Sequence, residues 1–205
     1  RVYSNITLFG DGIDQTVLDA GIGMDEDEGM VVNDSLQGQS NVTIRDMTIK
    51  GHSAGTGEAI KFRNLNGGFV HQVKALRINT GVLLGSQDGN GVKNVRISWC
   101  EITQAKKYGV FLTLGETNVI DNCVIDSGGS DALGIGLEIG VAGRISGNRV
   151  ISNRVTNGGH SMSFTAGNGT QYESGWINSG NVVCYNTASG NQIDQIWELR
   201  GSGNV

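Results

Sequence analysis

Two glutamates, Glu138 and Glu198, stand in alternating apolar runs of the same type, GIGLEIG (Gly134 to Gly140) and IWELRG (Ile196 to Gly201). Alternation assigns Ile135, Leu137 and Ile139 to one face of a strand and Gly136 and Glu138 to the other. In the intervening run, SMSFTAG (Ser161 to Gly167), it turns Met162, Phe164 and Ala166 inward and Ser161, Ser163 and Thr165 outward. In the last run Trp197 and Leu199 turn inward, leaving Glu198 and Arg200 outside. If such runs lie side by side, the two glutamate backbones are two strand spacings apart, about 10 Å. Carboxyl groups ~6.5–9.5 Å apart leave room for a water beside a sugar linkage, the arrangement of inverting glycoside hydrolysis. One glutamate, kept protonated by an apolar neighbour such as Trp176 or Phe111, would protonate the leaving oxygen. The other, held ionised by Arg200, would activate the water. Asp131 and Glu173 at the edges of this wall are substitutes for either role. Taken singly, each glutamate fits an ordinary solvated position equally well.

A second constellation suits different chemistry. Removing a proton next to a sugar carboxylate needs cations to neutralise the acid and a base such as Lys, His or Tyr. Lys106, Lys107 and Tyr108 precede the run GVFLTLG, and Arg144 and His160 occupy nearby repeats. A lone histidine such as His160 is more often a corner residue than a base. In the segment GNGTQYESGWINSG (Gly167 to Gly180) an insertion of roughly ten residues interrupts the repeat, and insertions in repeat proteins map to loops, often on a binding face. Its Tyr172 and Trp176 suit stacking on a sugar ring, although an inert loop would read the same. The acidic run Asp25, Glu26, Asp27, Glu28 offers carboxylates to calcium. It lacks the Asp-x-Asp-x-Asp-Gly order, and a solvated loop is the plainer reading.

These residues need elements to hold them, and the sequence supplies a repeat. One series of runs reads NVTIRDMTI, FVHQVKALRI, NVRISWCEI, NVIDNCVI, GRISGNRVI and NVVCYNTA; a second reads MVVND, AIKFRN, GVLLG, GVFLTLG, GIGLEIG, SMSFTAG and IWELRG. Each series returns every ~21–37 residues, within the periods of solenoids. No unit is long enough to bury its own apolar face, so units must stack, with each series forming one parallel wall. Asparagines at or near the corners, Asn41, Asn94, Asn118, Asn148 and Asn181, suit left-handed turns and bonds to the next coil. Cys100 and Cys123 fall at matching positions of adjacent coils, as small apolar fillers pointing the same way, which disfavours a disulfide.

Length and composition agree. The 205 residues hold one core, with 33 glycines and no proline. A net charge of −5 argues against a nucleic-acid partner, which requires a basic face. No apolar run is long enough for a membrane span. Both ends are abrupt where a solenoid needs polar caps, which predicts a single domain over 1–205 cut from a longer chain.

The stretch SNITLFGDGIDQTVLDAG (Ser4 to Gly21) resembles the first coil of right-handed parallel β-helix proteins of the pectate-lyase-like superfamily, the phage tailspikes and secreted polysaccharide-degrading enzymes. The resemblance covers nearly the whole chain as a repeat pattern. It implies an all-β, single-stranded right-handed parallel β-helix of about seven coils. It also implies a polysaccharide substrate, an extracellular or virion-surface location and side-by-side trimerisation. The pectin-acting motifs Arg-x-Pro-x-Arg, paired Asp and Gly-His-Gly are missing, as is the Asp-Pro-His of alginate epimerases. The expected function is a polysaccharide hydrolase of the tailspike type using Glu138 and Glu198. Substrate contacts are expected from Trp176, Tyr172, Arg200, Ser163, Thr165, Phe111 and His160, and no cofactor is expected. The alternatives are a polysaccharide lyase or uronate epimerase on an acidic polymer, and a non-catalytic solenoid for carbohydrate binding or adhesion.

Overall fold

Each apolar run forms a strand, and each strand pairs in parallel with its counterpart one repeat away. The computed structural model describes residues 1–21, 25, 28–33, 37–52, 57–85, 91–128, 132–139, 143–166, 176–190 and 197–199. At 138–139, 143, 164–166, 176–178 and 197–199 it describes the backbone alone. The second series of runs makes a seven-stranded sheet: Gly29–Val32 (β1), Glu58–Phe62 (β2), Thr80–Leu84 (β3), Tyr108–Leu112 (β4), Leu133–Ile139 (β5), His160–Ala166 (β6) and Trp197–Leu199 (β7), in that spatial order. The first series makes a 15-stranded sheet that bends around the rest of the coil. No helix occurs among the described residues. The chain is the parallel β-helix that its repeats imply.

Register sets the core. Val110, Ile135 and Met162 are partners across β4, β5 and β6, as are Leu112, Leu137 and Phe164. Of the residues that alternation turns inward, Ile135, Leu137 and Met162 are buried, as are Ile60, Phe62, Val110 and Leu112 on the neighbouring rungs. Files from the other walls, such as Ile44, Val70, Ile97, Ile120 and Val150, close the core from the opposite side.

Coils turn at corners of left-handed backbone. One corner stacks Asn41, Gly67, Asn94, Thr117, Gly147 and Gly180; the next stacks Asp46, Gln72, Trp99, Asn122, Ser152 and Tyr185. All have φ between 49 and 81°, a conformation that costs a non-glycine residue about 1 kcal/mol.

The asparagines divide into two kinds. Asn41 and Asn94 are exposed corner residues. Asn118, Asn148 and Asn181 lie just inside that corner, fully buried, as a ladder. The Asn148 Oδ1 accepts from the Asn118 backbone N–H at 2.9 Å and from Asn118 Nδ2 at 3.0 Å, while Asn148 Nδ2 donates to Asn181 Oδ1 at 2.9 Å and to the Gly115 carbonyl at 3.1 Å. Every amide atom is thereby used, and each rung fixes the next. A buried donor left without a partner costs ~1–3 kcal/mol. Asn148→Leu strands two donors of Asn118 and the Gly115 carbonyl, so we expect a loss of about 3 kcal/mol or more in denaturant unfolding. The exposed corner change Asn94→Ala should cost only about 1 kcal/mol, because its bonds to Asn66 and Thr117 are exchanged for bonds to water and the left-handed penalty dominates. Equal losses would remove the ladder's special role.

Candidate functional site

Five consecutive rungs repeat one irregularity at the start of the seven-stranded sheet. Ala59, Gly81, Gly109, Gly134 and Ser161 are aligned by register. A Cβ added to Gly109 would lie 2.4 Å from the Gly134 carbonyl oxygen and 2.5 Å from Ile125 Cγ2, so this position faces the core and tolerates only the smallest side chains. The next residues, Ile60, Val82, Val110, Ile135 and Met162, also belong to the core. Two successive inward residues break the alternation, and residues three apart, such as Tyr108 and Phe111 or Glu58 and Lys61, come to share the outer side.

The result is a cavity of about 310 Å³ over β2, β3 and β4, lined by Glu58, Lys61 and Arg63 from one rung, Asn79, Thr80, Leu83 and Gly85 from the next, and Lys107, Tyr108, Phe111 and Thr113 from the third. This volume lies at the small end of ligand pockets, which span roughly 300–1,000 Å³. Three of the lining side chains are cations and one is a carboxylate. Lys61 Nζ donates to Glu58 Oε1 at 3.0 Å, and both side chains are almost wholly buried, at 7% and 6% exposure. Asn33 clamps the backbone of Arg63, accepting from its N–H at 2.8 Å and donating to its carbonyl at 2.5 Å. The Asn79 carbonyl accepts from the N–H groups of Lys107 at 2.9 Å and Tyr108 at 3.2 Å, fixing where the third rung enters the sheet. The Tyr108 ring stacks on Phe111 with centroids 3.9 Å apart, and Lys107 Nζ sits 5.4 Å from the Tyr108 centroid. Phe111 in turn lies across Gly136, where an added Cβ would come within 2.6 Å of its ring.

The site expected from the sequence is placed only in part. Glu138 pairs with Thr165, whereas Glu198 pairs with Ser163. The two glutamates are therefore two strands apart and also two residues out of line, about 12 Å at the backbone rather than ~10 Å. Ser163, expected on an open wall, is buried at 7% exposure, as is Thr113 at 6%. Trp176, expected in an inserted loop, begins the strand Trp176–Ser179, where it pairs with Gly143. Asp131, Tyr172, Glu173 and Arg200 lie outside the described residues, as do Glu26 and Asp27 of the acidic run. Among the described residues no cluster of three His, Cys, Asp or Glu is placed to hold a metal ion. His160 is half-buried and shares a register row with Tyr108 through Leu133, two strands away. Phe111 lines the cavity, as does Thr113, while Arg144 lies exposed on a different wall.

Glu58 and Lys61 were not read as a pair from the sequence, and strict alternation turns Tyr108 inward. The available signal was the small residue at the head of each run, in GVLLG, GVFLTLG and GIGLEIG. A glycine there marks an extra inward position and shifts the residue before it to the outside.

Breaking a buried ion pair on one side costs ~3–5 kcal/mol, while replacing both members by apolar or neutral groups is far milder. Lys61→Met should therefore lower the denaturation midpoint sharply, and Glu58→Gln combined with Lys61→Met should recover most of the loss. A single variant as mild as the double would place the pair in effective contact with solvent.

No family model and no curated protein matches the chain. Among solved structures it is similar to the A-module of the mannuronan C-5 epimerase AlgE6 of Azotobacter vinelandii, with 12% identity and a TM-score of 0.31, covering 100% of this chain and 83% of that one.

Proposed function

We propose that this β-helix processes an acidic polysaccharide, taking one uronate unit into the cavity over β2 to β4 for proton abstraction next to its carboxylate. The observation that carries this reading is the concentration of Lys61, Arg63 and Lys107 around Tyr108 in one cavity of a chain whose net charge is −5. A carboxylate acidifies its neighbouring C–H only when its own charge is neutralised, because the carbanion formed carries a second negative charge. Fixed cations in a partly dry site supply that neutralisation without reorganising. Lys61 is held by Glu58 before substrate arrives, and Asn33 fixes the backbone from which Arg63 projects. Tyr108, backed by Phe111, takes the proton as its phenolate and, in elimination, passes it to the leaving oxygen. From the carbanion, breaking the bond to the leaving oxygen gives an unsaturated sugar and a cut chain. Delivering a proton from water to the opposite face instead gives the epimer and leaves the chain intact, with Tyr108 returning its own proton to solvent.

Hydrolysis by Glu138 and Glu198 has less support. Their backbones lie about 12 Å apart, farther than the ~10 Å expected, and the cavity's one carboxylate is committed to Lys61.

The test uses alginate, polygalacturonate and glucuronan in heavy water. Ultraviolet absorbance reports elimination, deuterium at the carbon next to the carboxylate reports epimerisation, and reducing ends alone report hydrolysis. We expect absorbance or deuterium, a drop in kcat of about 100-fold or more in Tyr108→Phe, and a raised KM in Arg63→Gln. Reducing ends alone, unaffected by Tyr108→Phe and abolished by Glu138→Gln, would overturn this reading in favour of hydrolysis.

A further inference from the structure

The corner farthest from the cavity carries residues at odds with its backbone. The coil from Phe62 to Thr80 turns at Gln72, roughly halfway round from the seven-stranded sheet. Asp46, Gln72, Trp99, Asn122, Ser152 and Tyr185 stack at this corner, with φ between 49 and 58°. Asp and Asn accept a left-handed backbone readily, but a bulky aromatic residue does not. Trp99 and Tyr185 nevertheless adopt it, at φ 55° and 57°. Neither recovers the strain by packing, since they are 59% and 84% exposed. Strain retained without a structural return is the mark of a position kept for use.

We propose that this corner is a second polysaccharide-binding site, a ridge on which an extended glycan lies along the helix axis. Trp99 and Tyr185 are three rungs apart, about 14 Å, and one rung of ~4.8 Å is close to the advance of one sugar in an extended chain. The two rings then meet sugars three units apart, each offering an apolar face to the C–H side of a pyranose. Asn122 and Ser152 occupy the two rungs between, where hydroxyls need hydrogen-bond partners. The outward neighbours Glu101, Val124 and Arg154 are of mixed sign, so the ridge makes no demand for a charged ligand and accepts a neutral glycan. This inference does not rest on the chemistry assigned to the cavity.

Cellohexaose and chitohexaose are the probes, titrated by calorimetry against the full chain. At least one hexasaccharide should bind, and its disaccharide should not, because about four sugars are needed to reach both rings. Trp99→Asn and Tyr185→Asn should each weaken binding by roughly tenfold. Both should melt no lower than the parent, because asparagine suits the corner better. Tyr108→Phe should bind the hexasaccharide as the parent does. The proposal is overturned if neither hexasaccharide binds, or if binding survives both corner substitutions. It is equally overturned if Trp99→Asn dissociates an oligomer seen by sedimentation, which would make the corner a contact between copies of the chain.

Discussion

Every rung of this molecule is hydrogen-bonded to the rungs on either side, so no coil chooses its shape alone. A corner that turned differently would carry its whole coil out of register and leave polar backbone groups buried without partners. The buried ladders meet this constraint with side chains. Asn118, Asn148 and Asn181 hold one corner; Asn153 and Asn186 hold the next, with Asn153 Nδ2 donating to the Ile120 carbonyl at 2.9 Å. On the two preceding rungs the same column is occupied by Cys123 and Cys100, whose thiols reach the equivalent carbonyls of Ile97 and Val70 at 3.8 and 3.7 Å. Both thiols are free and buried. Hydrogen bonding to Cys100, reinforced by burial, pushes the Cys123 thiol well above its ordinary value, so it stays protonated and unreactive. A thiol is a weaker donor than an amide, and the column passes from weak to strong donors along the axis.

The same stacking determines how a site is made. Residues that meet in the cavity, Glu58, Thr80 and Tyr108, are partners across three rungs and far apart in sequence. The row of small residues from Ala59 to Ser161 lets each coil turn two successive residues inward, which places both Glu58 and Lys61 on the outer side. Their ion pair is buried at a desolvation cost that Coulomb attraction roughly offsets. Its value lies in position, because the carboxylate holds the lysine ammonium in a single place.

Much of the fold was legible because periodicity is a property of the chain alone. The strand series, the parallel pairing and the inward file through Leu112 and Leu137 followed from apolar residues at every second position. Register is a property of neighbouring strands, which alternation along a single run does not report. Glu138 and Glu198 share a face but not a row, a slip of two residues that alternation cannot detect. Ser163 faces outward in phase yet is buried, because exposure depends on what lies over the sheet. Tyr108 was recognised as suited to proton chemistry, but its place in the cavity depends on the break at Gly109, where a glycine reads in the sequence as a mere corner residue.

Charge links the two surfaces. At distances beyond ~10 Å, salt screens individual groups and a polyanion meets little of the cavity's local field. What it meets first is a chain carrying more carboxylates than cations, with a net charge of −5. Attraction to Lys61, Arg63 and Lys107 is therefore short-ranged and cannot gather an acidic polymer from solution. The ridge proposed on the far side of the coil would bind through aromatic surfaces that need no charge and are not weakened by salt. Once such a contact is made, the remaining polymer is confined near the molecule, and its next encounter with the cavity is governed by effective concentration rather than by the bulk. A net-acidic protein with a small cationic cavity thus gains most from a second contact that ignores charge, and the exposed Trp99 and Tyr185 have the chemistry to provide it.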